Sequence, residues 1–304
     1  MQHHKPAIKR LDVVILLAIF GLVSYIAYRL FFSLNYNWNW SIIPTYMFHQ
    51  DVETGIWRTN LLVDGFITTI KLSIWATLLA VLIGFIVGLM RVSPRLFYRL
   101  IGRTYIEAIR NTPPLVLVFI FYYFVSDQFF TFLGIEDYLR ASSPAVQKYV
   151  SFFFAPPGLI TQFLSGILTL AMFQGAYIAE IVRAGIQAVE VGQWEAGKAI
   201  GLNRKKIMRF IILPQATKIM LPPLANEFIN TIKWSSIVSI ISIQELTFQA
   251  LQVMASTQAT IEIWLTISTM YLVLCLSLSL LVRKVEVYLA RSEGIMTTYQ
   301  QTGP

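Results

Sequence analysis

The chain has 304 residues, 56% of them hydrophobic and only 13% charged, whereas a soluble domain carries about 25% charge. With a mean hydropathy of +0.62, its 24 basic and 16 acidic side chains cannot cover a water-soluble fold of this size, which excludes an ordinary cytosolic enzyme. The net charge of +8 fits either nucleic acid or the basic cytoplasmic loops of a membrane protein, and the single cysteine, Cys275, excludes an intrachain disulfide and a thiolate metal cluster.

A membrane span needs about 20 mostly apolar residues. Six stretches qualify, near residues 11–32, 61–90, 104–126, 159–182, 211–243 and 263–282. The first follows His3, His4, Lys5, Lys9 and Arg10; it is longer than a signal-peptide core and no small-residue cleavage site follows, so it reads as a retained helix. Beyond it, Tyr36, Trp38, Trp40, Tyr46 and Trp57 resemble an interfacial aromatic belt. The second span holds Gly84 and Gly88, a spacing compatible with close helix packing or with chance. In the third, Glu107 and Arg110 lie three apart and are expected to pair within the membrane. Asp127 to Pro157 reads as a long outer segment. Spans four and five carry charges and amides that a bilayer tolerates only for a reason: Glu180, then Asn226, Glu227, Asn230 and Lys233, followed by Ser235 and Ser236. Pro214, Pro222 and Pro223 interrupt span five and mark either a hinge or a simple kink. The two N-terminal histidines read as solvent-facing, and the tail after Arg291 is polar and aperiodic, as in disordered segments.

Orientation follows from the basic residues. Sixteen of the 24 fall in segments that are internal if the N-terminus is cytoplasmic, among them Arg91, Arg95, Arg99, Arg103, Arg183, Lys198, Arg204, Lys205, Lys206 and Arg209. Four fall outside (Arg29, Arg58, Arg140, Lys148), and Lys71, Arg110, Lys218 and Lys233 fall within spans. This split puts both termini in the cytoplasm of a multi-pass plasma-membrane protein, and it leaves no nucleic-acid footprint to explain.

The inner segment between spans four and five is too polar to span and too patterned for a linker. Glu195 to Ile200 reads as a short helix with Ala196, Gly197 and Ala199 on its surface, stopped by Gly201 in the left-handed position. Small side chains there let another protein come close. Gly192 to Ala199 also satisfies the G-x4-G-K part of a phosphate-binding loop. However, Ala199 replaces the magnesium-binding Ser or Thr and no buried strand precedes it, so the chain supplies no ATP site.

Glu195-Ala196-Gly197, three residues, Gly201, nine residues and Ile211-Ile212-Leu213-Pro214 resemble the EAA motif of ABC import permeases. Asn111-Thr112-Pro113-Pro114-Leu115, Gly175 to Arg183, Gly192 to Ala196, Leu221 to Asn226 and Lys233 to Ile237 are similar to the polar amino acid branch, the histidine/glutamine/arginine permease type. The resemblance covers roughly residues 60 to 290. It implies an all-α integral membrane protein with about six transmembrane helices and the type I ABC importer permease fold. Residues 1–58 would be an extra helix and outer loop, 59–290 the permease domain with a coupling helix near 190–203, and 291–304 a polar tail. Gly197 departs from the motif's Ala at about 1 kcal/mol of helix propensity while keeping the surface small.

The implied function is a permease subunit, not an enzyme, that moves polar amino acids into the cytoplasm. Its expected partners are ABC ATPase subunits, an identical or homologous permease subunit, an extracytoplasmic amino acid-binding protein and membrane lipid, with no nucleic acid. No cofactor or metal is expected in the chain; ATP and magnesium belong to the ATPase. Gly192, Glu195, Ala196, Gly197, Gly201, Leu213 and Pro214 would couple to that ATPase. For the substrate path, Glu180 is expected to accept the ammonium, and Lys233 or the Ser235 and Ser236 hydroxyls the carboxylate, with Asn226 nearby. Alternatively these groups pair with each other to hold helices together. An ATP-independent secondary transporter or channel would instead need paired halves and matching ion-coupling carboxylates. A membrane enzyme would need an acid/base or metal set that His3, His4 and His49 do not supply.

Overall fold

The computed structural model describes residues 10–29, 36–52 and 55–292. The N-terminal histidines, Lys5, Lys9, the end of the first predicted span and the tail beyond Ser292 lie outside the described residues. The chain divides into two units, Met1–Ser41 and Ile42–Pro304. In the first, α1 (Arg10–Tyr28) is a helix whose apolar stretch runs from Leu11 to Ile26, and Trp38 stacks on Trp40 at 5.9 Å.

The second unit opens with α2 (Ile42–Met47) and a short hairpin of β1 (Phe48–Gln50) and β2 (Trp57–Thr59), paired His49 to Arg58 and tied by an Arg58–Asp51 ion pair of 2.9 Å. The hairpin is the one departure from an all-α reading among the described residues. Asn60 then caps α3 (Leu61–Arg91). At 1.5 Å per residue this helix extends about 46 Å, enough to cross a bilayer with tilt.

Helix α3 packs along α9 (Ile160–Gln187), and glycines make the approach possible. A Cβ at Gly84 would lie 2.5 Å from Ile178 Cγ2, and one at Gly88 2.6 Å from Val182 Cβ and 2.9 Å from the Ala179 carbonyl. The Gly84/Gly88 spacing is therefore a packing device.

The third predicted span is displaced. Helix α4 (Leu96–Arg110) stops before Asn111-Thr112-Pro113-Pro114, because Pro113 drives the residue before it out of the helical region. An apolar helical run from Pro114 to Ala141 follows instead, comprising α5 (Pro114–Ile120), a wide turn at Phe121–Ser126, α6 (Asp127–Phe132) and α7 (Ile135–Ala141). The presumed outer segment 127–157 is thus largely helical. Its last helix, α8 (Pro144–Phe153), lies back on α3: Lys71 Nζ donates to the Ser151 carbonyl (2.9 Å), Trp75 Nε1 donates to that of Phe153 (2.9 Å), and the Trp75 ring stacks on Phe154 at 4.6 Å. That explains a lysine inside the second span, whose charge meets carbonyls at a helix C-terminus.

After α9 come α10 (Val191–Ala199), α11 (Arg204–Ile207), a wide turn at Met208–Ile212, α12 (Leu213–Ser235) and a tight turn at Ser236–Ile241. The wide turn accommodates the missing N–H of Pro214, and the helix continues through Pro222 and Pro223. The sharp bend is not at the prolines: it comes after Ile241, where Ser242 takes φ +63° and α13 (Leu246–Thr257) departs at 48°. Helix α14 (Thr260–Ser292) completes the unit. Among the described residues four helices are long and apolar enough to cross a membrane, or five if the bent pair counts as one, and α1, whose predicted span runs on past the described residues, is not among them.

Candidate functional site

The α10 segment is built to be rigid. Gly201 sits at φ +77°, its N–H donates to the Lys198 carbonyl (2.9 Å), and the Leu202 N–H reaches back to Gly197 (3.1 Å). This pair of bonds closes the helix C-terminus and needs a residue without a Cβ penalty. Asn203 caps the next turn by accepting from the Lys206 N–H at 3.0 Å. Gln215 of α12 donates to Gln193 (3.2 Å), while Arg204 lies over the Trp194 ring at 5.5 Å and donates to the Val92 carbonyl (3.3 Å). Beneath, Val189, Ile207, Ile212, Ala216 and Met220 form one buried cluster, with Trp194, Leu202 and Leu213 packed against it.

Glu195, Ala196, Lys198 and Ala199 stand exposed above that base. Gly197 does not join them. It is buried, and a Cβ there would lie 2.8 Å from Ile207 Cγ1, so its smallness serves the inner packing and not the outer surface. Gly192 is exposed, with open space where a Cβ would go. Pro214 is exposed in the first turn of α12.

The predicted pair of Glu107 and Arg110 is not the pairing found. Both lie on α4, and Glu107 turns to Arg103 (3.7 Å) and accepts from Asn111 (3.0 Å), while Arg110 sits 5.8 Å from the Tyr177 ring centre. Position i−4 competes with i+3 for the same carboxylate on a helix, and here i−4 wins.

Glu180 is not a free acceptor. It takes a 2.7 Å hydrogen bond from Arg183 Nε within α9 and a 3.4 Å bond from Arg91 Nη2, the second of which ties α9 to the end of α3. Ser235 and Ser236 are also occupied, donating to the Ile232 and Lys233 carbonyls at 2.7 Å where the helix tightens. Asn226 and Lys233 are exposed, seven residues apart on one face, with Asn230 between them bonded to Glu227 (3.3 Å). Gln174 of α9 meets Thr231 of α12 at 3.0 Å. With the two helices antiparallel, Glu180 and Lys233 are about 12 Å apart along the axis. That separation and the two arginines already bonded to Glu180 argue against the pair as one clamp for an amino acid's ammonium and carboxylate.

Two polar groups escaped the sequence reading. Gln174 is fully buried, and its Oε1 has no partner among the described residues. Glu245 is fully buried at the bend, where it caps α13 by accepting from the Phe248 N–H (2.9 Å) and takes the Tyr271 hydroxyl (2.7 Å) and that of Thr69 (3.4 Å). The signal for Glu245 was a lone carboxylate between two apolar runs.

Residues 80–287 match the family model described as "Binding-protein-dependent transport system inner membrane component". The chain is 33% identical over 234 residues to the probable glutamine ABC transporter permease protein GlnM of Bacillus subtilis, covering 77% of this chain and 95% of that one. It is 33% identical over 238 residues to the glutamine transport system permease protein GlnP of Escherichia coli K12, with the same coverage. A crystal structure of an amino acid ABC transporter with histidines superposes with a TM-score of 0.59 at 36% identity, over 75% of this chain and 94% of that one.

Proposed function

The chain belongs to the family of inner membrane components of binding-protein-dependent transport systems, and from that premise we propose how its parts divide the work of an ABC importer permease for polar amino acids. The observation that carries the reading is α10: a helix bonded to α12 through Gln193 and Gln215 and linked to the Val92 carbonyl after α3 by Arg204 of α11, which lies over Trp194, with a small, charged outer face (Glu195, Ala196, Lys198, Ala199) that stands exposed among the described residues. The ATPase subunit docks on that face. Hydrolysis, with ATP and magnesium, takes place on the partner, and its motion enters the membrane through Leu213 and Pro214 at the base of α12. Gly192, Gly197 and Gly201 serve the helix and do not touch the partner's groove.

The basic end of the bundle, with Arg91, Arg183 and Arg204, faces the cytoplasm from a bacterial cytoplasmic membrane, a placement the charge bias supports. The exposed face of α12 (Asn226, Asn230, Lys233) lines the path where a second, identical or homologous, permease subunit faces it. Lys233 takes the substrate carboxylate there, with Asn226 and Asn230 on the same face. An extracytoplasmic binding protein delivers the amino acid.

Co-purification with ATPase subunits tests the docking. Glu195→Arg is expected to abolish it while leaving the permease folded, and undiminished co-purification removes α10 as the docking helix. Lys233→Gln is expected to lower ATP-driven amino acid uptake at least tenfold with ATPase binding intact.

A further inference from the structure

At the end of the bundle that carries Arg91, a cleft of about 410 Å³ lies between the Val92–Pro94 turn and the α10–α11 segment; Arg91, Ser93, Arg99, Trp194 and Arg204 are among its lining. The concentration of guanidinium there exceeds what the protein neutralises. Glu180 accounts for Arg91 and Arg183, but Arg91 Nε is buried with no partner, and Arg99 and Arg204 have no carboxylate within ion-pair distance among the described residues. Arg204 is held in place by its bond to the Val92 carbonyl and by the Trp194 ring.

Helix α4 begins beside this cleft and is apolar on the wrong side for a soluble surface. Gly102, Ile106 and Ile109 are buried, yet Leu96, Phe97, Leu100 and Ile101 are exposed, while Arg95, Arg99 and Arg103 follow one flank at four-residue intervals. A line of guanidinium groups beside an exposed apolar face is the chemistry of a membrane–water boundary, with the charges in the headgroup layer.

We propose that the cleft binds the phosphate of an anionic phospholipid, whose acyl chains lie along Phe97, Leu100 and Ile101. Guanidinium forks match phosphate oxygens in pairs, and Arg204 is already positioned to offer one. A free phosphate would make no use of the apolar face, and an acidic surface of another protein would not require it. The lipid so placed touches the α3–α4 turn to which Arg204 fastens the ATPase-facing helix, so anionic lipid would stiffen that connection. The proposal rests on the cytoplasmic placement of this end given above.

The test uses the whole transporter, purified with its ATPase and partner permease subunits, and native mass spectrometry of retained phosphatidylglycerol against phosphatidylcholine. Wild type is expected to hold phosphatidylglycerol selectively, Arg99→Gln to bind it about fivefold more weakly, and the Arg99→Gln/Arg204→Gln double variant about twentyfold. Arg99 is exposed and makes no side-chain hydrogen bond or ion pair among the described residues, so the single variant stands even where the double variant fails to assemble. Excess inorganic phosphate is expected not to displace the lipid. Equal retention of both lipids, unchanged retention in Arg99→Gln, or displacement by inorganic phosphate would overturn the proposal. Loss of the ATPase from Arg99→Gln with lipid still bound would overturn it too, by giving the arginines to the partner protein. Amino acid-stimulated ATP hydrolysis in phosphatidylcholine alone reports on the permease reading independently of the lipid.

Discussion

Gly201 and Gly197 are four residues apart, and glycine is needed at each for a different reason. At Gly201 the backbone is left-handed with open space around it, so the cost of a side chain is conformational. Gly201→Ala is expected to lose about 1 kcal/mol, seen as a lower Tm of the purified subunit, and to release the α10 C-terminus that two backbone bonds now close. At Gly197 the backbone is ordinary helix and the obstacle is Ile207. An added methyl here demands a smaller neighbour. Gly197→Ala alone is expected to destabilise, and Gly197→Ala/Ile207→Ala to cost less than the two single changes together, a coupling that a double-mutant cycle in Tm measures. Glu180 belongs to the same scale. Glu180→Gln leaves Arg91 and Arg183 half-buried against each other, so the expected loss is in stability, about 2 kcal/mol, with substrate selectivity in uptake assays unchanged.

At the scale of elements, the α3–α9 contact organises everything else. Gly84 and Gly88 bring α9 so near that Ile178 and Val182 occupy the space a side chain would need. Gly84→Val therefore pushes two long helices apart and is expected to abolish detergent-stable protein, while Gly84→Ala costs about 1–3 kcal/mol; thermal denaturation of purified membranes distinguishes the two. The third span shows how one dipeptide moves an element. The apolar count alone runs the helix from residue 104 to 126, but Pro113-Pro114 divides it, so that α4 becomes a separate amphipathic helix and the spanning run begins at Pro114. In span five the prolines lack an N–H, yet Pro214 follows a wide turn and the helix runs on through Pro222 and Pro223. The bend falls at Ser242, a residue with no mark of its own in the sequence, over the buried Glu245 that accepts bonds from α3, α13 and α14.

For the whole molecule, the family match begins at residue 80 and the second unit at Ile42, so α1 lies outside both. Deleting residues 1–41 is expected to leave ATP-driven uptake within about twofold of wild type, because Arg91, Arg95, Arg99 and Arg103 still retain the orientation. Vesicle transport with the shortened chain checks this.

The sequence by itself determined that the chain lives in a membrane, which end is basic, that it is a permease of the amino acid importing kind, and that a short helix ends at Gly201. Each of these depends on local composition or on residues close in the chain, and the helical ladder and the bilayer act on just such local properties. What the tertiary structure decided was partnership. Lys71 meets carbonyls eighty residues away, Glu180 meets Arg91 from another helix, Gly197 faces Ile207, and Glu245 gathers three helices. A buried polar group must find a partner or bear its desolvation, and its choice depends on which helices the glycines allow to touch. That is a property of packing between distant segments, to which no periodicity within one segment gives access.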